Sequence, residues 1–238
     1  MIKRRIGIGL GIIVFLAGLV ILLFPYINNA VSKHIEANIV TDFQETFHVQ
    51  ERSQGVSGQI SQYEDLYGAL QTYNKAIFDN HQSEMTTASF TTFPVLLSDY
   101  GLNDYGIGYI TIPGMDLELP LNLGADNQNM ANGVGVCGYT SAPIGGASTN
   151  CVIAGHRGYR GTAKFRYIEK LKAGDLVYIT NIWDTLTYQV KETKIVDPDD
   201  ISDIRIVEGK DLVTLLTCHP YASGGKYRYI VICERVDT

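Results

Sequence analysis

The 238-residue sequence predicts a mainly β domain, a barrel or sandwich, carried behind a helical region and one membrane-spanning segment. Three observations lead there. Residues 6–26 carry no charged side chain, and residues 28–73 repeat apolar side chains at helical spacing. From residue 108 onward, short runs of Val, Ile, Tyr and Thr are separated by Gly, Pro, Asn and Asp, the pattern of strands joined by turns rather than of βαβ units.

Taken in order, residues 1–5 form a short tail with Lys3, Arg4 and Arg5. The apolar run 6–26 matches the roughly 20 residues a helix needs to cross a bilayer. Its basic flank lies on the N-terminal side, which puts the N-terminus in the cytoplasm and the rest of the chain outside. The run is longer than the roughly 7–15 apolar residues of a signal-peptide core, so it reads as a retained single-pass anchor in the cell membrane.

Residues 27–79 read as helical. Val31, His34, Ile35, Ile39, Phe43 and Phe47 recur at spacings of three and four, the mark of one apolar stripe. Gly55 and Gly58 interrupt it within 50–58, and a second helix is expected over 60–76. Tyr63, Leu66, Tyr67, Leu70 and Tyr73 share one side of that helix and are expected to pack on the domain body. Residues 80–106 are polar, threonine-rich and aperiodic. Loops beyond about 12–15 residues tend to be lids, binding loops or linkers, and the sequence leaves those roles open.

The β domain spans 107–238, with strands expected at 108–112, 117–121, 151–154, 176–179, 185–195, 212–217 and 227–234. Residues 181–184 read as a hairpin turn with Trp183 exposed or on the rim, and Phe165, Ile168 and Leu171 mark one short helix. A domain of about 130 residues is long enough to bury a core.

A net charge of -6, with Asp and Glu outnumbering Lys and Arg, gives no basic footprint for nucleic acid. Four cysteines in a domain of this size are not a disulfide scaffold. They show no CxxC or CxxH spacing for structural zinc. Cys137 and Cys151 read as free structural thiols, although pairing stays open because their separation is not fixed by sequence.

Three residues carry the candidate chemistry. Cys218 ends the apolar run 212–217 and is followed by His219 and Pro220, so its strand should stop within one or two residues. Such a cysteine is often a small buried hydrophobe, but at a strand end it can also present a nucleophile on rigid backbone. A thiolate needs a partner, commonly a histidinium. His156 leaves a β run and has Gly155, Gly158 and Gly161 around it, which let the backbone turn tightly. His219 adjoins the cysteine and would point to the opposite face of a continuing strand. Arg228 shares a face with Ile230 and Ile232, unusual unless its head reaches water or a fixed anion. Its guanidinium can orient a carbonyl or steady an oxyanion. Cys233, on the other face, reads as core.

Together these segments resemble the sortases, cysteine transpeptidases of Gram-positive surfaces. Thr214-Leu215-Leu216-Thr217-Cys218 is similar to their nucleophile strand, Ile153-Ala154-Gly155-His156-Arg157-Gly158 to their histidine segment, and Tyr227-Arg228-Tyr229 to the site of their arginine. The resemblance covers roughly 102–235. It is nearest to class C, the pilin polymerases, through 108–113, Leu119-Pro120-Leu121, Gly133-Val134-Gly135, 138–146, Gly174-Asp175 and 217–221. Two departures stand out. Residues 80–106 lack the Asp-Pro-aromatic lid motif usual in class C, the one Asp-Pro being Asp197-Pro198, and no second apolar span follows the β domain. An anchoring role like that of class B therefore stays open beside polymerisation.

The resemblance implies a closed eight-stranded β-barrel with short helices, behind the N-terminal helices and the anchor. It implies Cys218 as nucleophile, His156 as acid/base and Arg228 as the substrate-positioning and charge-stabilising residue, with no metal or cofactor. Thr217, His219, Tyr221 and Arg157 are assigned to substrate binding. The implied partners are secreted surface or pilin proteins with a sorting motif, and an amine acceptor that is a pilin lysine or a peptidoglycan cross-bridge. A papain-like hydrolase fits poorly, since its cysteine precedes its histidine and opens a helix. A non-enzymatic, membrane-tethered pilus-assembly scaffold would share the anchor and the sheet.

Overall fold

A computed structural model describes residues 2–47, 63–102, 106–158 and 162–236. The break expected over 50–58, the start of the second expected helix at 60–62, and the glycine-rich turn at Tyr159, Arg160 and Gly161 lie outside the described residues.

The chain folds as a mainly β structure with helices at its N-terminal side. Helix α1 runs unbroken through Ile2–Thr46 with Pro25 inside it. The described part of its apolar half is exposed, and it is the one described helix long and apolar enough to cross a membrane. Its lower half packs on the barrel by only part of the stripe expected from sequence, with Phe43 and Phe47 buried and Ile39 half-buried. Val31 and Ile35 are exposed, and the buried positions are Glu36, Val40, Phe43 and Phe47. The inward face is rotated because the barrel offers Tyr109 as an edge-on partner for Phe43 and a buried cation for Glu36.

Helix α2 (Glu64–Asp79) buries Leu66, Leu70, Asn74 and Ile77. Tyr67 packs its ring on Trp183, centroids 5.0 Å apart, and the Tyr73 hydroxyl donates to the Thr140 carbonyl at 3.0 Å. The packing expected of this helix is present. The described part of 80–106 is less open than expected: it forms 3-10 turns at Thr87–Thr91 and Leu97–Tyr100 and buries Phe93 and Leu102. The Phe90 carbonyl accepts from the amides of Ala125 and Gly138, tying the segment to the barrel wall.

The eight strands are β1 (Gly108–Ile112), β2 (Leu117–Leu123), β3 (Val134–Val136), β4 (Thr149–Ala154), β5 (Leu176–Asn181), β6 (Thr185–Val196), β7 (Asp211–His219) and β8 (Tyr227–Arg235). They close in the order β1-β2-β3-β4-β7-β8-β6-β5. The pairs β2/β3 and β4/β7 are parallel, the others antiparallel. The short β3 and the helix α3 before it (Asn127–Asn132) have too few residues to show periodicity in the sequence.

The barrel interior is filled from alternate positions, among them Ile153, Val213, Leu215, Val231 and Cys233. The other face of the same ribbon is also covered, by Val152, Ala154, Leu216, Ile230 and Ile232 packed with Met85 and Ile204. All six residues of β4 are buried, which explains why 151–154 reads as a continuous apolar run. Apolar cover on both sides makes β4, β7 and β8 a stiff platform, and the candidate chemistry sits where it ends.

Candidate active site

Side chains alternate between faces along a strand, so parity sorts the residues at this end of the platform. Val152 and Ala154 of β4, Thr214 and Leu216 of β7, and Ile230 and Ile232 of β8 lie on the outer face. Continuing each series by two leads to His156, Cys218 and Arg228.

The backbone register brings these three abreast. Cys218 pairs with Arg228 across the antiparallel β7/β8 ladder. Ala154 pairs with Leu216 across β4/β7, and the Gly155 amide extends that ladder by donating to the Leu216 carbonyl at 3.0 Å. His156 therefore reaches the level of Cys218. The thiol is exposed, and the imidazole and guanidinium are half-buried.

The turn between β7 and β8 supplies a residue that sequence reasoning missed. Gly225 has φ +83°, and a Cβ placed there would lie 3.1 Å from Arg228 Nη1 and 3.3 Å from Cys218 Sγ. The thiol and guanidinium thus flank the same point, which glycine leaves open. Arg228 Nη1 also donates to the carbonyls of Gly225 at 2.8 Å and Tyr227 at 3.2 Å, which fixes one edge of the fork.

Opposite parity leads to Arg157, Thr217, His219 and Tyr229, which close the end of the barrel. Thr217 is 1 % exposed, and its hydroxyl donates to the Gly155 carbonyl at 2.7 Å, riveting the histidine turn to the nucleophile strand. Arg157 is 6 % exposed and pairs with Glu169 at 2.6 Å. Its Nη1 reaches His219 Nδ1 at 2.9 Å and the Cys218 carbonyl at 3.4 Å. Thr217, Arg157 and His219, expected at the substrate, make these contacts within the protein. Their side chains turn away from the thiol because they are one residue out of phase with it, and they brace its backbone instead. Tyr221 is different: it is half exposed beside Gly158, with the Arg166 guanidinium 4.3 Å from its ring centre.

Burial holds His156 below its ordinary range, and the nearby Lys164 cation adds to the effect. Burial pushes Cys137 and Cys233 up to about 12, and Cys151 well above the ordinary thiol range. All four cysteines are free, and Cys218 alone is exposed. Among the described residues no cluster of three or more His, Cys, Asp or Glu could hold a metal ion.

A thiol, an imidazole and an arginine fork on one exposed face can attack a carbonyl, steady the resulting oxyanion and move a proton. The model of the sortase domain matches residues 110–236, which contain all three. Sortase D of Bacillus subtilis is 33 % identical over 131 residues, covering 54 % of this chain and 63 % of that protein. Among solved structures, sortase C of Clostridium perfringens with the C-terminal cell wall sorting motif superimposes with a TM-score of 0.68 at 32 % identity, over 85 % of this chain and 100 % of that one. Sortase C1 of GBS Pilus Island 1 gives 0.72 at 27 % identity, over 85 % and 93 %.

Proposed function

The chain belongs to the sortase transpeptidase family, and on that premise we propose that it is held in the membrane by α1 and joins a sorting-motif protein to an amine through an acyl intermediate on Cys218. The observation that carries the reading is the register: Cys218 and Arg228 face each other across β7/β8, and His156 shares their face.

In the first half-reaction the Cys218 thiol passes its proton to His156 and the sulfur adds to a backbone carbonyl of the sorting motif. The carbonyl oxygen takes the negative charge, and the fixed Arg228 fork donates hydrogen bonds to it. His156 gives a proton to the departing amine as the C–N bond breaks, leaving a thioester. In the second half the incoming amine attacks the thioester, His156 accepts its proton, and collapse expels the sulfur with formation of a new amide. Lowered basicity suits both roles, because a neutral imidazole is ready to accept a proton and its charged form is a stronger donor. The thiol supplies the covalent chemistry.

A pilin lysine is the favoured acceptor, supported by the likeness to sortase C structures, one from a pilus island. The absence of an Asp-Pro-aromatic triplet in 80–106 keeps peptidoglycan attachment as the second reading. Incubating the full chain with sorting-motif peptides, pilin domains and cross-bridge mimics, with mass spectrometry of the products, separates the two. Cys218→Ala should abolish both the acyl-enzyme and the joined product while the protein stays folded. Retention of product by that variant would refute the mechanism.

A further inference from the structure

Helix α1 reaches the active site from behind. Lys164 has a side chain with no exposed surface, and its ammonium pairs with Glu36 of α1, itself 9 % exposed. The same helix places Asn29 Oδ1 to accept from the Ala163 amide at 3.2 Å. Residues 163 and 164 lead directly into Phe165, whose amide donates to the His156 carbonyl at 3.0 Å. The Phe165 ring lies against Gly155, where a Cβ would come within 2.7 Å of it. Lys164 sits at φ 41°, a left-handed backbone that a lysine holds only when its surroundings fix it.

We propose that α1 is part of the catalytic apparatus as well as a tether, and that Glu36 is a positioning residue for His156, acting through Lys164 and the 163–165 strap. The proposal rests on His156 being the acid/base group. A lysine charge with no water around it is tolerable only beside its counter-charge. With Glu36 present, part of the Lys164 charge felt by the imidazole is offset, and the remainder still holds His156 down. Without it, a bare cation stands behind His156 and opposes protonation. Lys164 is the charge that acts on His156; Cys218 and Arg228 share the imidazole's face, and Arg157, Glu169 and His219 lie on the opposite face; all but the varied pair stay constant in the comparison.

The test uses the full chain in lipid nanodiscs and follows the His156 ring by NMR through a pH titration, its signal assigned with His156→Gln. Glu36→Gln should lower the His156 midpoint by about half a pH unit or more. Lys164→Met should raise it, and Glu36→Gln/Lys164→Met should return it to the wild-type value or above. Glu36→Asp should restore much of the wild-type behaviour. Turnover should fall about threefold at pH 7 in Glu36→Gln and recover in the double variant. An unmoved midpoint in folded Glu36→Gln, or in Lys164→Met, overturns the proposal. If Glu36→Gln does not fold, Lys164→Met and the double variant, which bury no unpaired cation, decide it alone. The titration needs no substrate, so absence of peptide joining by the wild type would count against the functional reading and leave this one standing.

Discussion

Gly225→Ala offers the sharpest test of how the site is assembled. The added methyl would stand 3.1 Å from Arg228 Nη1 and 3.3 Å from Cys218 Sγ, inside the separation of about 3.5–4.0 Å at which non-bonded heavy atoms rest. Two costs follow. Holding an L-residue at φ +83° costs about 1–2 kcal/mol. Moving Arg228 aside weakens its bonds to the Gly225 and Tyr227 carbonyls, each contributing about 0.5–1.5 kcal/mol. A total of about 1–3 kcal/mol lowers the melting temperature by roughly 3–10 °C in a chain of this size. The catalytic effect should be larger, because displacing a reacting group by about 1 Å can cost about 100-fold in rate. Scanning calorimetry reads the first effect and kcat/KM for peptide joining the second. A Gly225→Ala protein that keeps its melting temperature and works within threefold of wild type would show that the thiol and guanidinium do not converge on this turn.

Native protein at pH 8 should take up one equivalent of iodoacetamide, at Cys218, because the other three thiols are buried and hard to ionise. Peptide mapping should find all four alkylated only in denaturant, and native labelling of Cys151 or Cys233 would contradict the packing. The pH dependence of stability should carry a His156 signature. Its folded pKa lies below the unfolded value of 6.5, so the unfolded state binds more protons between the two. Its contribution is thus complete above pH 6.5 and is lost as pH falls toward the folded value. Urea midpoints from about pH 7.5 to 5 should drop less steeply in His156→Gln than in wild type, and equal slopes would show that His156 titrates alike in both states.

Much of this protein was legible in its sequence because local chemistry was sufficient. The uncharged run in 6–26, the alternation in 185–195 and the continuous apolar runs at 151–154 and 212–217 state what each segment can bury. The strands expected there appear in β6, β4 and β7, each a little longer than its sequence signal because ladder pairing extends past the apolar residues. The sortase resemblance likewise rests on short motifs around Cys218, His156 and Arg228, each readable within a few residues.

What the sequence could not state is which side chains meet when segments far apart pack together. Thr217, Arg157 and His219 adjoin the candidate catalytic residues in the chain, yet the pleat turns them to the opposite face, and only closure of the barrel made that face an interior with Glu169 at hand. The inward face of α1 was legible at Phe43 and Phe47 but not above them, because there the inward position is a charge, Glu36, whose partner Lys164 lies 128 residues away. Gly225 gains its importance only from the β7/β8 register, which sets Cys218 against Arg228 across it. Periodicity records what a segment prefers to hide from water. Register, handedness and closure are properties of the assembled sheet, and they alone choose the neighbours that give a thiol, an imidazole and a guanidinium a shared task.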